Sequence, residues 1–285
     1  MPDKFTATWV SHSSINDFLQ CPRAYYLKNI YKDPSTGHKV TLASPSLSLG
    51  QAIHSVLEFL STLPKDRRFE TPLPVRFDEE WEKVSGKKGG FFDKDSEYKY
   101  KNRGVEMLRK VFKNPGPIAN LSVKMNAELP QYYLSEEQNI MLCGRIDWLE
   151  YMAETDSVHI IDFKTGKKKE DNESLQLPIY YLLVHNCQKR KVTKASYWYL
   201  ETDNNLTEVA LPDLEEAHKK VLAIAEKIKL AKQLNKFSCP HDGCFACKPF
   251  EKILKGEAEK VGVGQYGRDI YALKTDEEQR DSVIL

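Results

Sequence analysis

Seven residues constrain this chain more than any others: Val158, His159, Ile160, Ile161, Asp162, Phe163 and Lys164. The apolar, β-branched run predicts a short buried strand, and a strand's period of two puts Asp162 and Lys164 on one face. An arbitrary Asp-x-Lys reads as a salt bridge at a strand end. Here a second acid, Asp147, sits in a preceding strand-like segment, and Gly166 supplies a turn residue just after the lysine. Buried acids are costly unless paired or bound to metal. Two of them converging point to a hard cation with oxygen ligands.

The flanking sequence gives this strand its neighbours. Segments 122–134, 139–151 and 158–164 read as three strands, with hairpin-length connections at Ser135–Gln138 and Glu154–Asp156, which predicts an antiparallel meander. Glu128, Asp147 and Asp162 fall one in each strand, so adjacent strands could bring all three to one end of the sheet. A helix follows over 174–187, with Gln176 and Tyr180 one turn apart. A strand over 194–202 pairs with 207–211, and an amphipathic helix over 214–234 presents Val221, Ile224, Ile228 and Leu230.

Upstream, Ser14 reads as the N-cap of a helix with Asp17 at its third position and Ile15, Phe18 and Leu19 on its apolar face. Cys21-Pro22 interrupts it, Pro22 opening the next helical turn and leaving Cys21 at a junction. Residues 31–48 read as a loop. A helix over 51–60 carries Ile53, Val56, Leu57 and Leu60, with His54 at the stripe's edge one turn before Glu58. Taken alone, His54 is a core-edge histidine bonded to a carbonyl or to Glu58. Segment 63–120 reads as an insertion with one short helix near Trp81 and a second helix over 97–112, stopped by Asn114-Pro-Gly-Pro117. Helices before and between strands give an α/β (α+β) architecture, a mixed sheet flanked by helices.

Composition excludes several classes. The 285 residues, 41% hydrophobic and 29% charged, suit one folded domain with insertions and argue against wholesale disorder. No apolar run of about 18 residues exists, so no membrane span is expected. The N-terminus has no basic region followed by an apolar one, which predicts a cytoplasmic protein. Net charge is +1, with basic residues gathered at Lys164–Lys169 and Lys189–Lys194, where they could contact phosphates. A single domain over 1–250 is expected, followed by a peripheral or partly disordered tail over 251–285, irregular beyond Gly256.

Six cysteines occur, at 21, 143, 187, 239, 244 and 247. In a chain read as cytoplasmic they are not expected to form disulfides, so the cluster Cys239, Cys244 and Cys247 points to a soft metal. The fourth ligand is Cys21 or His241. Four thiolates suit tetrahedral zinc or an iron-sulfur cluster, and spacing alone does not choose between them. Cys143 and Cys187 read as packing residues.

Together these residues resemble the PD-(D/E)XK nuclease superfamily in its RecB-type branch. Gly144-Arg-Ile-Asp147 is similar to its first motif, Asp162-Phe-Lys-Thr-Gly166 to its second, and Gln176-x-x-x-Tyr180 to the element that follows; His54 matches the histidine of the upstream helix. Ser11–Leu27 resembles the N-terminal helix of iron-sulfur members of the CRISPR-adaptation and AddB types, in which one N-terminal and three C-terminal cysteines hold a 4Fe-4S cluster that staples the domain ends. Ile253 stands where those relatives carry a last cysteine, and Cys239 takes its place.

The resemblance implies a restriction-endonuclease-like core and a DNA nuclease, exonuclease-like, of repair, recombination or CRISPR-type DNA processing. It implies that Asp147, Asp162, the Phe163 carbonyl and His54 hold Mg²⁺ or Mn²⁺, with Glu128 as an extra ligand. Lys164 would orient or help deprotonate the attacking water, and Gln176 and Tyr180 would hold the strand or support the site. Cys21, Cys239, Cys244 and Cys247 would hold the 4Fe-4S cluster, with zinc as the alternative. The substrate would be DNA, single-stranded or at duplex ends. No phosphate-binding loop is present, so a helicase or adaptation-complex partner would be a separate chain. Two other classes remain: a non-catalytic nucleic-acid-binding subunit, and a zinc-stabilised structural protein whose acids form salt bridges.

Overall fold

The computed structural model describes residues 3–125 and 129–273. In chain order the elements are β1 (Thr8–Val10), α1 (His12–Gln20), α2 (Pro22–Tyr25), β2 (Val40–Leu42), α3 (Pro45–Leu60), α4 (Leu73–Glu82), α5 (Lys94–Lys113), β3 (Gln131–Ser135), β4 (Ile140–Cys143) and β5 (Trp148–Met152). Then come β6 (Ser157–Lys164), α6 (Gln176–Cys187), β7 (Lys191–Tyr199), β8 (Thr207–Val209), α7 (Leu214–Gln233), α8 (Lys248–Leu254), β9 (Glu259–Val263) and β10 (Asp269–Ala272).

The central sheet has the order β5-β6-β7-β8; β5 and β8 run antiparallel to their neighbours, and β6 and β7 are parallel, joined through α6. Strand β6 is buried on both faces except at Lys164, as its unbroken apolar run requires. On one face Val158 and Ile160 pack with Tyr197, Tyr199, α6 and α7. On the other, Trp148, Ile161, Phe163 and Trp198 pack with α3, α4 and α5. Alternation along β6 therefore sends Asp162 and Lys164 to the α6 side. Helix α6 is apolar nearly all round, with Leu177, Ile179, Tyr180, Leu182, Leu183 and Val184 buried, which marks an internal helix.

The mixed α/β class holds, while the predicted meander does not. β3 and β4 pair with each other and with β1 in a second sheet, and the chain leaves that sheet at Gly144 before β5 joins the central one. The break follows from packing, because a Cβ on Gly144 would lie 2.9 Å from Leu183 Cδ1 of α6. Glu128 lies outside the described residues.

Other boundaries move for identifiable reasons. The N-cap of α1 is Ser11 rather than Ser14; Ser11 and Ser14 exchange side-chain to backbone bonds, and Ser14 is buried at the third helical position. Helix α3 starts at Pro45, a residue suited to a first helical turn, inside the segment read as loop. The 63–120 segment holds two helices, α4 and α5, that pack on α3 and complete the second core. On α7 the buried face is Ala217, Val221, Ala225 and Ile228, leaving Leu230 exposed.

The irregular course expected beyond Gly256 is replaced over 259–272 by the β9–β10 hairpin, whose β10 adds in parallel to β2. Asp269, fully buried, pins this hairpin: its carboxylate meets Lys260 at 2.8 Å, His38 at 3.1 Å and Thr36 at 2.6 Å. Among the described residues no helix is long and apolar enough to cross a membrane.

Candidate active site

The site forms where the end of β6 meets the turn before β5. Asp147, 9% exposed, accepts the backbone N–H of Phe163 at 2.9 Å through Oδ2, and its Oδ1 lies 3.3 Å from His54 Nδ1 of α3. One carboxylate thus ties three elements. Asp162, 1% exposed, accepts from Gln176 Nε2 at 2.7 Å through Oδ1. Gln176 also donates to Tyr180 Oη at 3.2 Å and accepts from Lys164 Nζ through Oε1. Lys164 Nζ stands 3.0 Å from both Asp162 Oδ2 and Glu170 Oε1. The predicted residues therefore form two bonded groups, His54 with Asp147 and Asp162 with Lys164, Gln176 and Tyr180, which meet where Asp147 accepts the N–H of Phe163, the residue between Asp162 and Lys164.

Its electrostatics are those of a site built for a cation. Burial, then the charge of Asp147, push Asp162 up to about 8. Burial alone would lower His54, but the carboxylates of Asp147, Asp162 and Glu58 outweigh it and raise the imidazole to about 9. Burial would likewise lower Lys164, yet Asp162 and Glu170 raise it, so it stands as an ammonium that donates hydrogen bonds. Tyr180 is held well above the ordinary phenol range by burial and by Asp162.

A divalent metal fits these donors on one observation above all. Asp162 Oδ2 is a buried carboxylate oxygen whose close cationic neighbour is Lys164 Nζ at 3.0 Å, while Asp147 adds a second buried acid whose charge acts on it. Buried carboxylates brought together are costly without compensating positive charge. Beside Asp162, His54, Glu58 and Asp147 each offer a ligand atom, all within 4.8 Å of one another. Glu58 was not among the sequence-read ligands, although its place one turn after His54 on α3 was visible. Burial and Asp147 push it up from the usual carboxylate range.

Two clefts reach this network. A groove of about 730 Å³ runs past Glu58, Lys124, Arg145 and Asp147, and a second of about 430 Å³ past His12, Asn16, Lys164, Glu170 and Gln176. Sequence reasoning also missed His12 and Glu170. His12 is lowered to about 4 by burial and by the Lys164 charge. Nothing in a lone histidine beside an N-cap signals proximity to a residue about 150 positions on. The basic clusters expected to meet phosphates are largely paired with acids: Lys167 with Glu201, Lys169 with Asp203 and Arg190 with Asp156.

Elsewhere in the fold the sulfurs of Cys21, Cys239, Cys244 and Cys247 all lie within 4.8 Å of one another, and all six cysteines are free thiols. Cys21 caps α2 ahead of Pro22, while Cys247 precedes α8. A small core of Ala24, Leu27, Val40, Ala246, Phe250 and Ile253 closes around them. Burial raises Cys21 to about 12, whereas the backbone N–H groups of Cys247 and Ala246 lower Cys244 to about 7. Cys143 and Cys187 stay apart, each directed at a backbone carbonyl. A staple joining the N- and C-terminal parts of the fold is thus available to a metal.

The family model of the PD-(D/E)XK nuclease superfamily matches residues 9–250. The chain belongs to that superfamily, a class of metal-dependent nucleases hydrolysing phosphodiester bonds. Among curated proteins none matches the sequence.

Proposed function

We propose that the protein is a metal-dependent DNA nuclease, exonuclease-like, of the RecB-type branch, acting on single strands or duplex ends in DNA repair, recombination or CRISPR-type processing beside a separate helicase or adaptation subunit. The observation that carries the nuclease reading is the buried Asp162 carboxylate, within reach of the Asp147 charge and 3.0 Å from the Lys164 ammonium.

In this reading Asp147, Asp162, His54 and the Phe163 carbonyl hold Mg²⁺ or Mn²⁺, and Glu58 joins them. The bound ion would neutralise charge on the phosphoryl oxygens and lower the pKa of a water. Lys164, kept charged between Asp162 and Glu170, directs its remaining N–H toward the attacking water and the phosphoryl oxygen. Gln176 fixes both Lys164 and Asp162, so the acid and the ammonium cannot drift apart. Tyr180 holds Gln176 in turn.

The staple is assigned a metal by the same reasoning, and here a second reading has an observation in its favour. A tetrahedral ion with zinc-sulfur bonds of about 2.3 Å sets sulfurs about 3.8 Å apart. Cys244 Sγ and Cys247 Sγ are 3.8 Å apart, and no pair in the set exceeds 4.8 Å. A cubane carries each thiolate on a different iron and spreads them wider. The spacing supports zinc over the 4Fe-4S cluster that the motif pattern implies.

Cleavage of end-labelled single-stranded, duplex and circular DNA with Mg²⁺ or Mn²⁺ tests the nuclease reading, with zinc, iron and sulfide measured on the same preparation. Cleavage that disappears in Lys164→Met while the protein stays folded is the expected result. Undiminished cleavage in that variant defeats the mechanism.

A further inference from the structure

Residue Tyr266 lies beyond the stretch matched to the superfamily, in the connection between β9 and β10. It is 76% exposed, and it adopts φ +59°, left-handed backbone that a bulky aromatic rarely takes. A residue held in such a conformation is over-determined by its surroundings, and these positions cluster at ligand clamps. The surroundings here are specific. Arg145 Nη2 donates to Tyr266 Oη, and the guanidinium carbon stands 5.6 Å from the ring centroid. Arg145 Nη1 in turn lies 3.9 Å from Glu58 Oε2, and Glu58 clusters with His54 and Asp147.

The ring is thus linked through Arg145 to the candidate metal ligand Glu58, and Arg145 itself lines the groove with Lys124 and Asp147. The hairpin that carries it is anchored through β2 and the buried Asp269. A tyrosine whose task was to fill space would be buried. This one is oriented through its hydroxyl and leaves most of its ring open to solvent. Exposed aromatics beside an arginine are what single-stranded nucleic acid uses for base stacking.

We propose that Tyr266, oriented by Arg145, stacks on a base of the nucleic-acid strand entering the active site, and so positions the scissile phosphate. The proposal rests on the nuclease reading and adds to it a substrate-binding contact from the C-terminal hairpin. The ring acts on binding and register, and Arg145 fixes its tilt.

The test is binding of a short single-stranded oligodeoxynucleotide carrying a fluorescent adenine analogue, with Ca²⁺ replacing Mg²⁺, by wild type, Tyr266→Gly and Tyr266→Phe, with melting temperatures recorded for each. Wild type is expected to bind and quench the analogue. Tyr266→Gly is expected to bind roughly 5- to 150-fold more weakly without quenching, the range for one lost base stack, at a melting temperature no lower than wild type. Tyr266→Phe keeps the ring but loses the bond from Arg145 Nη2, and is expected to quench less than wild type and more than Tyr266→Gly.

Equal binding and quenching in Tyr266→Gly overturns the proposal and leaves the nuclease reading intact. So does loss of quenching in Tyr266→Phe as complete as in the glycine variant, or weaker binding in Tyr266→Gly accompanied by a lower melting temperature. A wild type that binds no single-stranded oligonucleotide overturns the stacking proposal, and the nuclease reading then stands or falls by the cleavage assay alone.

Discussion

Phe163 gives its backbone N–H to the carboxylate of Asp147, 2.9 Å away. This bond crosses from β6 to the turn that precedes β5, so the position of the first acid is set by the strand that carries the second. Asp147→Asn keeps the size of the side chain but removes its charge. It is expected to lower cleavage by at least about 100-fold, within the range for groups stabilising charge at a reacting centre, while near-ultraviolet circular dichroism stays unchanged. Cleavage within threefold of wild type would remove Asp147 from the mechanism.

Gln176 bridges Lys164, Asp162 and Tyr180 without being able to hold charge itself. Gln176→Leu is expected to reduce kcat by about 10- to 100-fold, the usual effect of losing a supporting hydrogen bond at a metal site. Tyr180→Phe removes only the outermost bond and should cost less than Gln176→Leu. A Tyr180→Phe defect equal to that of Gln176→Leu would contradict the order of the network.

Metal binding should be coupled to protons. With no cation bound, His54 is raised to about 9 and Asp162 to about 8, so both carry protons at pH 7. Ligands must shed those protons. Affinity for Mn²⁺ should therefore climb from pH 6.5 toward about pH 9, with proton release on binding. Calorimetry in buffers of differing ionisation enthalpy measures it, and a binding heat independent of the buffer would be the contrary result.

Asp269 is pulled down to about 2 by Lys260, Thr36 and His38, against the opposing effect of burial. A carboxyl lowered on folding contributes stability that is fully present above its ordinary value near 4 and lost as pH falls through 2. Between pH 4 and pH 2 the β9–β10 hairpin should loosen. Hydrogen exchange over 259–272 should speed up in Asp269→Asn at pH 7, by at least roughly tenfold if loss of the buried pair costs more than about 1.4 kcal/mol. Unchanged exchange in that variant would show the hairpin held by something else.

Gly104, inside α5, weighs helix propensity against packing. Replacing glycine by alanine in a helix gains about 1 kcal/mol, but the added Cβ would lie 2.3 Å from Cζ of the buried Phe77. Overpacking costs typically 1–3 kcal/mol, so Gly104→Ala should destabilise on balance. A denaturation midpoint above wild type would reverse this ranking.

Much of this was visible in the sequence because period and chemistry coincided. The run from Val158 to Lys164 announced a buried strand with Asp162 and Lys164 on one face, and the four-residue spacing of Gln176 and Tyr180 put both on one side of α6. Sheet membership was less legible. The split between β4 and β5 depends on Gly144 against Leu183, a contact between segments about 40 positions apart. Glu58 stood in view one turn after His54 without its rotation toward the site being fixed, Glu170 reaches Lys164 from an irregular loop after β6, and His12 is drawn in by Lys164 about 150 positions on. The strands β9 and β10 escaped notice because both are short, β9 is largely exposed, and β10 buries an aspartate and pairs with β2 more than 200 residues away.

The four cysteines carry a consequence for the order of assembly. His54, Asp147, Asp162, Lys164, Gln176 and Tyr180 all lie between Cys21 and Cys239 along the chain, and the small core around the sulfurs joins Ala24 and Leu27 to Ala246, Phe250 and Ile253. During synthesis the N-terminal helices emerge first and must wait, one face uncovered, until translation has passed residue 253. The cleft can be built before that moment, but the ring around it closes last.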